Sequence, residues 1–253
     1  MEWYSYILIV AVGVVAGIVN TMAAGGSMLT LPVLMAFGMS PNMANGTNRI
    51  AILLQNIVGV SSFHKEKVMD FSAGFRVGIP AALGAIAGAF IAVNLNDEIM
   101  KLAIAGVMVV VFLLILLKPN RWINSHESHP PIPYWLQVII YFFVGIYGGF
   151  IQAGVGFFLL TSLVLASGYE LVKSNALKLF VILLYTPIAL IIFFLHGDVN
   201  LWIGLLLAVG NMTGAWLGTR IAVKWGATLI RYFVLVAIVV AATKLVLDAF
   251  KVL

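Results

Sequence analysis

The stretch Asn20-Thr21-Met22-Ala23-Ala24-Gly25-Gly26-Ser27 breaks one long apolar run, and Gly148-Gly149-Phe150-Ile151-Gln152-Ala153-Gly154-Val155-Gly156 breaks another. An apolar segment of about thirteen residues follows each break. As a helix it would rise only ~20 Å, short of the ~30 Å hydrocarbon core of a bilayer. Each short segment leads into a polar patch that opens a further long run. The patch is Asn45-Gly46-Thr47-Asn48-Arg49 in the first case and Lys173-Ser174-Asn175 with Lys178 in the second. Paired, Gly-interrupted short segments at matching places in two halves point to the central site of a transporter.

Composition sets the solvent. Of the 253 residues, 63% are hydrophobic and 9% charged, with a mean hydropathy of +1.12. A soluble domain carries about a quarter charged residues, so this is an integral membrane protein. The net charge of +5 comes from basic residues standing singly between apolar runs, a pattern of cytoplasmic loops rather than of nucleic-acid binding. With no Cys, disulfides, thiolate catalysis and Cys-based metal sites are excluded. Met1-Glu2-Trp3 places no basic residue before the first apolar run, which reads as a retained helix rather than a signal peptide.

Ten segments can be marked. In the first half they run 5–23, 26–38 (short), 44–63, 72–93 and 99–117. In the second they run 134–152, 155–167 (short), 174–195, 199–220 and 228–250. The runs are too long and too continuous for membrane strands. Matches recur at a near-constant spacing: Gly17-Ile18 with Gly145-Ile146, Ala24-Gly25 with Ala153-Gly154, Gly84 and Gly88 with Gly210 and Gly214. The expected fold is an all-α membrane protein of two five-segment repeats, residues 1–117 and 134–253, joined by the polar, Pro-containing linker 118–133. If all ten segments cross and the amino terminus lies outside, the cytoplasm receives Lys65, Lys67, Arg76, Lys118, Arg121, Lys173, Arg220, Lys224 and Arg231. Only Lys101, Lys244 and Lys251 then lie outside. Eight crossings with parallel halves give a poorer seven against five. The positive-inside bias favours ten crossings and inverted repeats.

The expected site lies where the breaks meet. Glycine allows sharp turns and close backbone approach, and helix amino termini favour anions. Four termini are expected to converge, near Gly26-Ser27, Gly156, Gly46-Thr47-Asn48 and Ser174-Asn175, beside the cations Arg49 and Lys178. A cation inside a membrane marks function. Taken singly, each part has a plainer reading. Gly pairs such as Gly84 with Gly88 are packing contacts, a cation near a helix end snorkels, and Asn20, Gln55, Asn56 and Gln152 bond helices together. The coincidence in both halves raises the site above its parts. The candidate substrate-binding residues are Gly25, Gly26, Ser27, Thr47, Asn48, Arg49, Gln152, Gly154, Gly156, Asn175 and Lys178, with Arg49 as the leading counter-charge. His196 and Asp198 are loop candidates for a proton path, and His126-Glu127-Ser128-His129 reads as a solvated loop. No carboxylate falls within a span, and HExxH, Walker and GxSxG motifs are absent, so an enzyme is not expected.

At Ala23-Ala24-Gly25-Gly26-Ser27, the Pro32 segment and Ala44-Asn45-Gly46-Thr47-Asn48, the chain resembles the TauE/SafE sulfite exporter (permease) family. A weaker echo runs through Gly148-Gly149, Gly154-Val155-Gly156 and Ser174-Asn175-Ala176-Leu177-Lys178. The resemblance covers about residues 5–248 and implies bacterial inner-membrane transport of sulfite, sulfonates or related organosulfur anions. Gln152 and Val155 depart from the first-half pattern, so the two sites need not be symmetric. The expected partners are a small anion, the lipid bilayer and a coupling ion, with the proton as candidate; no cofactor, metal or nucleic acid is expected. A channel-like anion pathway is the alternative, ahead of an assembly factor or intramembrane enzyme.

Overall fold

In a bilayer every backbone polar group must be satisfied within the protein, which leaves a chain this apolar the helix as its element. The computed structural model describes residues 3–22, 25–117 and 130–224. The described residues form α1 (Trp3–Met22), α2 (Ser27–Ala36), α3 (Pro41–Lys65), α4 (Phe71–Val93), α5 (Asp97–Leu117), α6 (Tyr134–Phe150), α7 (Val155–Leu165), α8 (Leu171–Leu195) and α9 (Leu201–Lys224). No strand occurs among them. The tenth expected segment, 228–250, and most of the linker lie outside the described residues.

Four of these helices, Tyr4–Met22 within α1 together with α4, α8 and α9, are long and apolar enough to cross a membrane. α3 is as long as α8 but carries Asn45, Asn48, Arg49, Gln55 and Asn56, all buried. Its polar face turns into the bundle rather than to lipid. α2 and α7 have 10 and 11 residues and rise ~15 Å, about half the hydrocarbon core. The expectation that all ten segments cross is not met by these two.

Small residues set the helix pairs. A Cβ added at Gly84 would sit 2.0 Å from the Phe142 carbonyl oxygen, and one at Gly88 would sit 1.9 Å from that of Ile146. Gly145 and Gly149 face the carbonyls of Ala81 and Ala85 at 2.0 Å each. The contacts advance together, so α4 and α6 run in the same direction. α1 and α9 pair likewise, Gly210 on Val10 and Gly214 on Val14, both at 2.1 Å. The packing role expected of these glycines holds.

The remaining directions follow in the same way. Gly46 meets Phe193 and Gly59 meets Leu179, so α3 and α8 are antiparallel. Thr47 bonds Asn200 while Gly204 meets Ile50, so α9 runs with α3. Gly74 meets Phe180 and Gly78 meets Leu184, so α4 runs with α8. Thus α1, α3 and α9 point one way, and α4, α6 and α8 the other. Asn20, near the end of α1, lies beside Gln55 in the middle of α3. α2 must therefore carry the chain back to the start of α3. The end of α6 lies beside Tyr185 in mid-α8, and α7 makes the equivalent return.

Candidate functional site

Two broken hairpins meet at the centre. α1 ends at Met22, Gly25 takes a φ of +122°, and Gly26 caps α2. α6 ends at Phe150, Ile151 is extended, and Gly154 caps α7 from the left-handed region at φ +75°. Only glycine enters such conformations without strain, which explains both breaks. Gly25, Ser27, Gln152, Gly154 and Gly156 line one small cavity. Lys178 from α8 and Asn20, Gln55 and Asn56 from α1 and α3 complete its polar wall. Its volume is about 10 Å³, room for about one water molecule. The centre therefore has no room for a larger solute in this conformation.

The two cations make matched contacts across the halves. Arg49 of α3 is fully buried. Its guanidinium donates to the carbonyls of Gly148 and Gly149 at the end of α6, at 3.2 and 2.6 Å, and to Gln152 Oε1 at 3.2 Å. It also stands 4.5 Å from the centroid of the Phe193 ring. Lys178 of α8, equally buried, donates to the Asn20 carbonyl at the end of α1 at 2.8 Å and to Asn175 Oδ1 at 2.5 Å. Each cation thus satisfies orphan carbonyls and faces the negative dipole end of a first helix in the opposite half. A pair of asparagines repeats the pattern. Asn45 Nδ2 donates to the Phe150 carbonyl at 2.8 Å, and Asn175 Nδ2 donates to the Thr21 carbonyl.

The arrangement sorts the residues expected from sequence. Gly25, Ser27, Gln152, Gly154, Gly156 and Lys178 reach the cavity wall. Gly26 lies just behind it and donates its amide to Asn20 Oδ1 at 2.7 Å. Arg49, Thr47, Asn48 and Asn175 stand outside the wall. Thr47 Oγ1 accepts from the Asn200 amide at 2.9 Å, and Asn48 ties α3 to α2 through Thr30 at 2.7 Å and Ser27 at 3.3 Å. Of the four expected helix termini, two converge. α3 begins at Pro41 behind the Ser40 cap, and α8 at Leu171, so the patches at Asn45–Arg49 and Ser174–Asn175 lie inside helices. Asn20, Gln55 and Asn56 belong to the wall, where sequence reasoning saw only links between helices. Their signal was available as amides inside an apolar stretch.

Among the described residues, the wall has no carboxylate. It combines an ammonium, two helix amino termini and side-chain amides, a set suited to an electron-rich, acceptor-bearing solute. His196 and Asp198 lie in the turn between α8 and α9, away from this wall.

The family model described as sulfite exporter TauE/SafE matches residues 9–245. A probable membrane transporter protein of Sinorhizobium, ORF9, is 26% identical over 92% of this chain and 89% of its own length. The probable membrane transporter protein YfcA of Escherichia coli is 28% identical over 94% and 88%. YunE of Bacillus subtilis, similarly described, is 24% identical over 86% and 87%. No solved structure gives a significant match.

Proposed function

The chain belongs to the TauE/SafE sulfite exporter family, a multi-pass membrane transporter of the inner membrane, and from that premise we propose that it moves a small oxyanion or organosulfonate by alternating access around the Lys178 cavity. The observation that carries the reading is a convergence at one small cavity with no carboxylate among the described residues of its wall. Both Gly turns, both short-helix amino termini and a buried ammonium meet there. Lys178 supplies the counter-charge. Ser27, Gln152 and the amides at Gly154–Gly156 supply hydrogen bonds. Arg49, Thr47, Asn48 and Asn175 hold the surrounding helix ends in place.

The opposed directions of α1 and α6, α3 and α8, and α4 and α9 support two inverted repeats. The reciprocal cation contacts support a pseudo-two-fold axis through the centre. A hairpin returns to the side it entered, as two crossings would, so the nine-to-three distribution of loop cations keeps its meaning and places the Lys65–Lys67 turn in the cytoplasm. A cavity for about one water cannot admit sulfite. Opening to either side then requires one half to move against the other.

The test is flux of sulfite, thiosulfate and methanesulfonate into liposomes holding the purified protein. Saturable flux is expected. Lys178→Ala should abolish it, and Lys178→Arg should retain part. Unchanged affinity and rate in Lys178→Ala would overturn the assignment, and non-saturating flux would replace alternating access with a channel.

A further inference from the structure

A buried row of amides runs from the first Gly turn to the cavity wall, and its direction is set where it starts. The Gly26 N–H can only donate, and it donates to Asn20 Oδ1 at 2.7 Å. The Asn20 amide is thereby oriented, and its Nδ2 donates to Gln55 Oε1 at 3.1 Å. Asn211 Nδ2 donates to the same oxygen at 3.2 Å. Gln55 Nε2 is left to face Asn56 Oδ1, at 3.5 Å. The remainder of the row is Asn56 Nδ2, a donor on a fully buried residue with no acceptor among the described residues. Asn56 lines the same cavity as Lys178.

An unsatisfied buried donor is costly and rare in a native interior. Turning the Asn56 amide over gives no relief, because it would set its nitrogen against Gln55 Nε2, donor against donor. We infer that Asn56 is a substrate-recognition residue, its Nδ2–H held toward the cavity by the Gly26–Asn20–Gln55 row to bond an oxygen of the transported anion. The inference rests on the anion reading above and deepens it. A ligand that satisfies Asn56 beside the Lys178 charge must present acceptor lone pairs toward both. A small oxyanion does so, whereas a cation or a solute that can only donate meets hydrogens on both sides.

Thermal unfolding of the purified protein, titrated with sulfite, thiosulfate, sulfate and methanesulfonate, tests this, since a bound ligand stabilises the state it binds. The near-isosteric Asn56→Leu removes the orphan donor but also the Oδ1 that faces Gln55 Nε2, and should unfold close to the wild type without ligand. It should also raise the half-saturating concentration of the preferred anion by about tenfold or more. Asn56→Asp, which keeps the shape and places a negative oxygen in the cavity, should weaken the anion further and decides the matter if the Leu variant does not fold. Wild-type half-saturation in both variants overturns the role of Asn56 and leaves the anion reading standing. A wild-type protein that none of these anions shifts overturns the anion reading and this one with it.

Discussion

Arg49 is the residue whose placement most changes what a mutation should do. Its guanidinium holds three buried oxygens, those of Gly148, Gly149 and Gln152, and lies against Phe193. Hydrogen bonds to a charged group contribute about 1.5–3 kcal/mol each, while burying the cation offsets much of the sum. Truncation to Ala relieves that desolvation but leaves three acceptors bare and a void beside the ring. The net cost is on the order of 3 kcal/mol. At roughly 2–4 °C per kcal/mol for a protein of this size, the midpoint should fall by about 6–12 °C. Arg49→Met keeps the volume without the bonds and should lose nearly as much, which separates hydrogen bonding from packing. Arg49→Lys restores a point charge without the fork and should fall between. Thermal unfolding in detergent, followed by tryptophan fluorescence, reads all three. If Arg49→Ala unfolds with the wild type yet no longer transports, Arg49 is a substrate ligand and the capping argument is refuted.

Two further outcomes follow from the packing and the caps. Gly88→Ala forces a methyl to 1.9 Å from the Ile146 carbonyl, so α4 and α6 must separate and folded yield should collapse; Gly106→Ala, which meets nothing within 4 Å, is the control and should leave yield unchanged or higher. Asp70 caps α4 by accepting from the Ala73 amide at 3.0 Å and pairs with Lys173 at 2.8 Å, and these contacts hold its carboxyl below the ordinary range. Its charged form is favoured in the folded state, so its contribution is complete above the unfolded value near 4 and is lost as pH falls through the lower folded value. Asp70→Ala should cost about 1 kcal/mol at neutral pH, mostly the lost cap, and the gap from the wild type should close in thermal scans below about pH 4.

The helices were legible because a membrane leaves the backbone few options and apolar runs record where it complies. The Gly breaks were legible for a local reason, since Gly25 and Gly154 hold backbone angles that other residues resist. Helix starts were read late because Asn45 and Ser174 look like caps, while the true signal for α3, Ser40 followed by Pro41, begins five residues before Asn45. What the two cations touch was not legible. Both stand a few residues into a third helix, and what separates them is which carbonyls come within reach. Those of Gly148 and Gly149 lie about a hundred residues from Arg49 in the chain. Asn56 escaped for a related cause. Its importance lies in a hydrogen bond it does not make, and that appears only after every neighbouring donor and acceptor has been assigned.

The reciprocity of the contacts bears on how a site can drive motion. A ligand shifts a conformational equilibrium only by the difference in its affinity for the two states. In the closed state Lys178 gives hydrogen bonds to the Asn20 carbonyl and to Asn175 Oδ1, so the charge that faces the cavity also holds the end of α1. An anion taking up Lys178 competes with the Asn20 carbonyl and weakens the tie between α8 and α1. Arg49 keeps its hold on α6, because it stands outside the cavity wall. On the proposed reading, occupancy would loosen one hairpin and leave the other fixed, the asymmetry a two-sided gate needs, since loosening both at once would open a continuous path.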